Sequence, residues 1–235
     1  MQFPRPLVPG VLLRRYKRFL ADVRLMDGRE TTAHCANPGS MIGLAEPGME
    51  VWLMPHGDPK RKLAWSWELV RAGDHLVGIN TTHPNRLAQT AIAASRIPAL
   101  AGYATCRREQ RYGAASRIDL LLEAPARPIC YVEVKNVHLR RGEFAEFPDS
   151  VTARGAKHLA ELSAMKAAGH RAVMLYVVQR ADCRSFRIAA DIDAVYDLAF
   201  RDAKAAGVEM LCYYCAVNLD GIEIAAPLAI AAGAG

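Results

Sequence analysis

The sequence predicts an α/β fold of the α+β type, in which a small β-barrel precedes an α/β unit with a mixed central sheet. Two observations carry this prediction. Residues 12–79 contain short strand-like runs separated by glycine and proline turns. Residues 85–224 alternate apolar strands with amphipathic helices. The change of pattern at residues 78–84 predicts two domains, residues 1–81 and residues 82–235.

Five short strands are predicted in the first domain. They cover residues 16–25, 30–35, 49–54, 65–71 and 75–79. Five strands with frequent turns are typical of the OB-fold, an architecture that often binds single-stranded nucleic acid. Trp65 and Trp67 share one strand face, where they form either a base-stacking surface or part of the barrel core.

The second domain is predicted to contain three helices and a mixed sheet. The helices cover residues 85–94, 150–168 and 191–207, and the strands cover residues 104–111, 117–123, 129–137, 171–179 and the hairpin 208–224. Asp149 or Ser150 is the expected N-cap of the second helix, and Gly169 is expected to end it.

Ionisable residues interrupt two apolar strands of this domain, at residues 116–120 and 131–135. The connection is too short for a crossover helix, so the two strands are expected to form an antiparallel hairpin. If the hairpin folds about Ala126, Asp119 lies opposite Glu133, with Cβ atoms about 4.5–5.5 Å apart. Two carboxylates so close repel each other unless one is protonated or a cation lies between them.

Such a carboxylate pair suits Mg²⁺, which takes one or two carboxylates and keeps several waters. Lys135 shares the strand face of Glu133, so an ammonium is expected beside the metal. This arrangement suits phosphodiester cleavage. The alternative is ordinary surface polarity on a one-sided sheet, although the nearly continuous apolar run around Glu133 indicates a strand covered on both faces.

The bulk composition indicates a globular protein with a moderate basic excess. The chain has 235 residues, 51% of them hydrophobic, and a net charge of +6. We expect a cytoplasmic protein with neither a secretion signal nor a membrane partner, since no apolar stretch approaches the roughly 18 residues of a membrane span. The six cysteines are expected to be reduced thiols, because Cys212 and Cys215 form a lone CxxC inside an apolar run.

Basic residues beside aromatic residues indicate a polyanionic partner, which we expect to be DNA. The candidate nucleic-acid contacts are Arg15, Lys17, Arg18, Arg117, Arg154 and Lys157. Arg154, Lys157, His158 and Glu161 share one helix face. Either this face reaches phosphate and places His158 near the metal, or it is a solvated face on which Lys157 pairs with Glu161.

Several segments together resemble the sugar fermentation stimulation (SfsA) family of prokaryotes. They are RYKRFLADV (15–23), HCANPGSM (34–41), SRID (116–119), YVEVKNV (131–137), FPDSVT (147–152), RG (154–155) and KHL (157–159). The Asp and Glu-x-Lys pattern also resembles the PD-(D/E)xK restriction-endonuclease-like superfamily. The resemblance implies an OB-fold joined to a nuclease-like domain, DNA binding and a role in regulating sugar utilisation.

The resemblance also implies site residues. Asp119, Glu133 and Lys135 match the catalytic motif, with Asp119 and Glu133 holding Mg²⁺ or Mn²⁺ beside the main-chain carbonyl near Val134. Glu109 is a further acid on the preceding strand. The superfamily usually places a glutamate in the first helix, where this chain has Thr90.

Two hypotheses follow. One is a metal-dependent nuclease, and the other is a noncatalytic DNA-binding regulator that uses the same groove. Intact Asp119, Glu133 and Lys135 favour the first hypothesis, and Thr90 favours the second. The oligomeric state stays open, with a homodimer as one possibility.

Overall fold

The first domain is a closed β-barrel. A computed structural model describes residues 1–58, 60–112 and 116–231. The barrel strands and the hairpin partner that follows them are β1 (Val8–Tyr16), β2 (Leu20–Leu25), β3 (Glu30–Cys35), β4 (Glu50–Pro55), β5 (Trp65–Ala72) and β6 (His75–Gly78). The order β3-β2-β1-β4-β5 closes through a parallel pairing of β3 with β5, while β6 extends β5 outside the closed ring. The predicted five-stranded, OB-like barrel is thereby confirmed.

The prediction of a single strand over residues 16–25 is wrong. Lys17 and Arg18 have positive φ values of 47° and 63°, and the chain reverses there between β1 and β2. The rest of β1, from Val8 to Arg15, was not predicted as a strand. Gly10 is required in the strand, since an added Cβ would lie 2.6 Å from the Val23 side chain.

The second domain contains three helices, α1 (Pro84–Ala93), α2 (Ala153–Ala167) and α3 (Ala194–Ala205), among the described residues. Its strands are β7 (Thr105–Tyr112), β8 (Ser116–Glu123), β9 (Cys130–Val137), β10 (Leu139–Arg141), β11 (Phe144–Phe147), β12 (Arg171–Val178), β13 (Ser185–Ile188), β14 (Glu209–Val217), β15 (Ile222–Pro227) and β16 (Ala229–Ile230). The main sheet has the order β15-β14-β12-β9-β8-β7. Strand β9 runs antiparallel to β8 and parallel to β12, so the sheet is mixed, as predicted.

Two apolar layers cover the faces of this sheet. Val132 and Val134 of β9 pack with Leu87 of α1 on one face, and Leu159 of α2 belongs to the cluster on the other. Trp52 of the barrel also joins the layer around α1, so the two domains share part of their core. Within the barrel, Trp67 is fully buried in the core, which is one of the two interpretations that the sequence left open.

The predicted N-cap of α2 is wrong. The helix begins at Ala153, and the Thr152 side chain accepts a hydrogen bond from the Gly155 amide at 3.1 Å. Asp149 lies three residues before Thr152 and contacts the barrel instead. The short strands β10, β11, β13 and β16, which form a separate small sheet, were not predicted either.

Two further expectations concern thiols and membranes. All six cysteines are free. Within the described ranges, the helices are too short or too polar to cross a lipid bilayer.

Candidate functional site

The β8–β9 hairpin has the predicted register. Leu120 pairs with Val132 and Leu122 with Cys130, which centres the turn on Ala126. The ladder stops one residue before Asp119 and Glu133. At that point the Asp119 carboxylate accepts a hydrogen bond from the Val134 amide at 2.8 Å, in place of a backbone carbonyl. The two strands therefore separate where their acidic residues lie.

Asp119 is partly buried and has both oxygens occupied. Besides the Val134 amide, it accepts a hydrogen bond from the Asn85 side chain of α1 at 2.7 Å. Burial and the nearby charge of Glu133 raise the pKa of Asp119 to about 6, although these hydrogen bonds favour its ionised form. Glu133, which the hairpin register places opposite Asp119, therefore opposes the ionisation of Asp119.

Glu133 is only 2% exposed and uses one carboxylate oxygen. Its Oε1 accepts hydrogen bonds from the Lys135 ammonium at 2.8 Å and from the His158 ring. Its Oε2 is buried and has no hydrogen-bond partner among the described residues. Burial opposes ionisation, but the His158 hydrogen bond and the Lys135 charge outweigh it and lower the pKa of Glu133.

His158 joins α2 to these acidic residues. Its Nε2 accepts a hydrogen bond from the Arg154 guanidinium at 3.2 Å, so its Nδ1 carries the proton donated to Glu133. The Lys135 ammonium lies 3.1 Å from the same Nδ1. We call the cluster formed by these side chains the acidic cradle; its members are Asp119, Glu133, Lys135 and His158. The predicted catalytic residues and His158 therefore meet in one place.

The acidic cradle has donors that fit a hard divalent cation. The unpartnered, buried Oε2 of Glu133 offers a free lone pair beside a second carboxylate. In the part of the chain that is described, no three His, Cys, Asp or Glu side chains form a metal cluster. A cation held by Asp119 and Glu133 would therefore rely on water and main-chain oxygen for its other ligands, as Mg²⁺ commonly does.

Glu109, the further acid that the resemblance implies, lies on β7 next to the position of Asp119 on β8. Glu109 continues the register of Asp119, since its neighbours pair as Arg108 with Leu120 and Gln110 with Ile118. Its φ is 54°, the pairing of β7 with β8 skips Glu109 and Asp119, and the Glu109 side chain is exposed.

Thr90 does not stand at the acidic cradle. It is exposed and lines a small surface cavity together with Arg96 and Glu223. Asn85, one turn and a half earlier in α1, is the helix residue that reaches Asp119. The Thr90 side chain therefore points to a different part of the helix surface from Asn85.

The predicted nucleic-acid residues of the barrel have two different environments. The Arg15 guanidinium donates to the carbonyls of Asn37 at 2.9 Å and Gly39 at 2.8 Å, so it holds a loop of the barrel. Lys17 and Arg18 are exposed at the β1–β2 turn, and Arg18 lines a cavity of about 340 Å³ between the domains. Arg15 therefore stabilises a barrel loop, while Lys17 and Arg18 are the more accessible candidate contacts.

The predicted contacts of the second domain also divide. Arg117 is exposed and opposes the exposed Arg111 across the β7–β8 ladder. Two like charges in this arrangement repel each other and favour an anion between them. Lys157 forms a 3.6 Å ion pair with Glu161, as in the alternative interpretation of the helix face. Arg154 and Lys157 are exposed on α2, next to His158 of the acidic cradle.

Asp149 connects the two domains beside the cavity lined by Arg18. Its carboxylate accepts hydrogen bonds from the Met41 amide at 3.0 Å and from the His138 ring at 3.2 Å. A Cβ added to Gly39 would lie 2.4 Å from the same carboxylate, so only glycine allows this approach. Burial opposes the charge, but His138 and the Met41 amide lower the pKa of Asp149 to about 2.

Sequence reasoning missed the polar residues that support the site. Asn85 follows a helix-starting proline and carries no charge, so nothing in its surroundings predicted a contact with Asp119. Asn136 and His138 lie near the end of β9, where Asn136 accepts a hydrogen bond from the Gln179 amide at 2.6 Å. The only available signal was their closeness in sequence to Glu133 and Lys135.

Comparison with known proteins agrees with this geometry. An N-terminal OB domain model matches residues 13–79, and a sugar fermentation stimulation protein RE domain model matches residues 82–221. Fold and site thus define a two-domain protein in which an OB-like barrel precedes a restriction-endonuclease-like domain. The chain belongs to the sugar fermentation stimulation protein (SfsA) family, which confirms the resemblance inferred from its motifs.

Relatives match over nearly the whole chain. A sugar fermentation stimulation protein homolog of Rhodospirillum centenum is 62% identical, with coverage of 99% of this chain and 100% of that protein. The homolog of Paramagnetospirillum magneticum is 60% identical, with 97% of each chain covered. The solved structure of Pyrococcus furiosus SfsA in complex with Ca²⁺ is 27% identical, has a TM-score of 0.89 and covers 99% of this chain and 98% of that one.

Proposed function

We propose that this protein binds DNA and cleaves phosphodiester bonds at the acidic cradle with Mg²⁺ or Mn²⁺. The observation that carries the proposal is the buried Oε2 of Glu133, which has no hydrogen-bond partner among the described residues and lies on a strand position that the register sets opposite Asp119. A buried carboxylate oxygen without a partner costs about 1–3 kcal/mol, so its retention favours a ligand that binds there. The Ca²⁺ in the Pyrococcus furiosus SfsA complex supports a cation-binding role, because Ca²⁺ also prefers carboxylate oxygens.

The side chains have distinct roles in this proposal. Asp119 and Glu133 hold the cation, which supplies Lewis-acid polarisation of the scissile phosphate when bound. Lys135 orients the attacking water or neutralises charge that develops on the phosphate. His158 positions Glu133 by donating to its Oε1, and Asn85 fixes the Asp119 carboxylate.

Exposed basic residues of both domains supply the DNA contacts in this proposal. Lys17 and Arg18 project from the barrel turn, while Arg117 and Arg154 lie near the cradle on β8 and α2. The net charge of +6 favours association with a polyanion. Six free thiols accord with the reducing cytoplasm, which we include in the proposal as the location of the protein.

One observation favours the second candidate, a noncatalytic DNA-binding regulator of sugar utilisation. Lys135 and His158 both bind Oε1 of Glu133, so the buried charge is already compensated within the protein. A site compensated in this way can persist as a structural element after a reaction is lost.

The test compares cleavage and binding in the same samples. Labelled DNA and RNA are incubated with wild-type protein and with Asp119→Asn, with and without Mg²⁺ or Mn²⁺. We expect metal-dependent cleavage of DNA by the wild type and none by the variant. Glu209→Gln is the matched control, because both of its carboxylate oxygens accept hydrogen bonds from Arg171, outside the acidic cradle.

The remaining outcomes separate the two candidates. Binding without cleavage by the wild type selects the regulator, and its affinity should fall steeply with added salt as counterions are released. If the wild type cleaves RNA in preference to DNA, the substrate of the proposed nuclease is RNA. Failure to bind either polymer at low salt contradicts both candidates.

A further inference from the structure

A second polar cavity lies on the barrel, apart from the acidic cradle. It has a volume of about 540 Å³, within the range of ligand pockets. Its lining includes His34, Met54, His56, Arg61, Leu63 and Glu68. Residues 80–83, which connect the barrel to α1, close one side of it. Glu68 is the unusual lining residue, because it is an acidic residue that is fully buried.

Glu68 is placed in the cavity by a β-bulge. Trp52 pairs with Leu69, while the next residue of β4, Leu53, pairs with Trp67. Glu68 is therefore the extra residue of β5, with no partner in the ladder. Bulges re-aim side chains, and here the bulge directs a charged side chain out of an apolar strand and into the cavity wall.

Only one oxygen of Glu68 has a structural role. Its Oε2 accepts hydrogen bonds from the Asn80 amide at 2.9 Å and the His83 ring at 2.6 Å, which fixes the connection to α1. Its Oε1 is buried and without a hydrogen-bond partner among the described residues, and the whole residue is 0% exposed. A purely structural role does not account for the unpartnered oxygen, which would accept a hydrogen bond from a ligand.

The surroundings of Glu68 favour a ligand with both a hydrogen-bond donor and an anionic group. Arg61 and Lys62 line the cavity, and Arg61 lies 3.0 Å from the His56 ring. His56 also contacts the Ser66 hydroxyl at 2.6 Å. No second carboxylate lines the described cavity, so a metal cation is disfavoured there. The rim instead suits a phosphate.

The remaining walls suit a flat ring. Met54 and Leu63 supply apolar surface, and the rings of His34 and His56 offer stacking faces. The His34 ring is itself stacked on Phe19, with ring centroids 6.3 Å apart. Such a combination of stacking faces, a buried acceptor and a basic rim resembles the environment in which proteins read a single unstacked base.

We propose that this cavity binds a nucleobase that carries an exocyclic amino group, which donates to Oε1 of Glu68 while the attached phosphate lies at Arg61 and Lys62. A carboxylate accepts such a group from cytosine, adenine or guanine. Thymine instead presents carbonyl oxygens on both sides of its single N–H, and these repel a carboxylate. The base comes from a single strand, which rests on the proposed function, or from a free mononucleotide.

The experiment measures base preference separately from cleavage. Fluorescence anisotropy with EDTA follows binding of labelled oligo(dC), oligo(dA) and oligo(dT), and calorimetry follows dCMP and dTMP. We expect wild-type protein to prefer dC and dA over dT by roughly tenfold, since a good base contact is worth about 1–3 kcal/mol. Glu68→Gln should remove the preference, whereas Glu50→Gln, an exposed barrel carboxylate paired with Arg71, should keep it.

Further arms make each outcome decisive. Leu63→Trp fills the cavity from its partly exposed side and should remove the preference even if Glu68→Gln does not fold. A preference for oligonucleotides alone identifies a strand as the source, and a preference for dCMP identifies a free nucleotide. Equal affinity for dC and dT in both forms overturns the inference. Retained preference without cleavage overturns only the nuclease proposal.

Discussion

Glu133 and Glu68 are two buried glutamates in different electrostatic environments. Both lie in apolar strands, both are nearly or fully buried, and each has one carboxylate oxygen without a partner among the described residues. Glu133 has Asp119 beside it and the Lys135 ammonium at 2.8 Å. Glu68 has the neutral amide of Asn80 at 2.9 Å, and basic residues line the opening of its cavity.

The neighbouring residues, and not the carboxylate itself, determine what a buried glutamate binds. A second carboxylate makes the region around Glu133 more negative, which favours a divalent cation. A basic rim without a second carboxylate makes the region around Glu68 suited to a ligand that combines a donor with a phosphate.

Removal of the Lys135 ammonium is the strongest test of the proposed nuclease activity. Lys135→Ala should lower the rate of metal-dependent DNA cleavage by about 10² to 10³, because one electrostatic contributor to the transition state is removed. Circular dichroism should show retained secondary structure. Single-turnover rates provide the measurement, and Lys166→Ala, at the exposed end of α2, is the control. An unchanged rate in Lys135→Ala would exclude the ammonium from the mechanism.

The metal preference of the two glutamates should differ. Glu133→Gln should weaken Ca²⁺ binding, measured by titration calorimetry, by about 100-fold or more, since loss of even an outer contact costs 10–100-fold. Glu68→Gln should leave Ca²⁺ affinity as in the wild type, because its cavity lacks a second carboxylate among the described lining residues. Equal losses in both variants would contradict the contrast drawn between the two regions.

Asp149 joins the two domains, and its contribution to the free energy of unfolding should depend on pH. Its folded-state pKa of about 2 lies below the ordinary value, so its stabilisation is present above about pH 4 and is lost as pH falls toward 2. The loss amounts to about 2 kcal/mol, since a tenfold difference in proton affinity between the folded and unfolded states is worth about 1.4 kcal/mol.

Urea unfolding at a series of pH values measures this contribution. The stability difference between wild type and Asp149→Asn should shrink by that amount over the acidic range. Asp74→Asn, at the β5–β6 turn of the barrel, serves as the control. A difference that stays constant with pH would show that the hydrogen bonds of Asp149 do not depend on its charge.

The smallest effect is expected at the barrel turn near the cavity between the domains. Arg18→Ala should weaken binding of DNA of any sequence and reduce the slope of log affinity against log salt by about one, as expected for one phosphate contact. Arg29→Ala, at the opposite β2–β3 turn, is the matched control because it pairs with Asp27 at 2.6 Å. An unchanged slope in Arg18→Ala would remove the turn from the DNA interface.

Local sequence patterns predicted the elements that depend on local physics. The hairpin register that opposes Asp119 and Glu133 follows from chain length and strand alternation, and the structure has that register. The buried strand β12 and the end of α2 at Gly169, with its φ of 86°, followed from composition and glycine geometry. The Asp119–Glu133–Lys135 part of the site was therefore visible in the sequence.

Features that depend on distant contacts were not predictable in the same way. Strand β11 pairs in parallel with β13, about 40 residues away, and neither is long enough to show a period. Asp149 reads as a helix cap, yet its partner is the Met41 amide across the domain boundary. Glu68 shows no local sign of its bulge, because a bulge is defined only by the partner strand.

The central position of β9 bears on how the acidic cradle behaves before any ligand arrives. This strand shares eight consecutive residue pairs with β12 and is bordered by β8 on its other side. Strands held on both edges open only with the whole domain, so their amides should be among the slowest to exchange with deuterium. The carboxylates would thus already be preorganised when a cation arrives. The protein would therefore lose little conformational entropy on binding it.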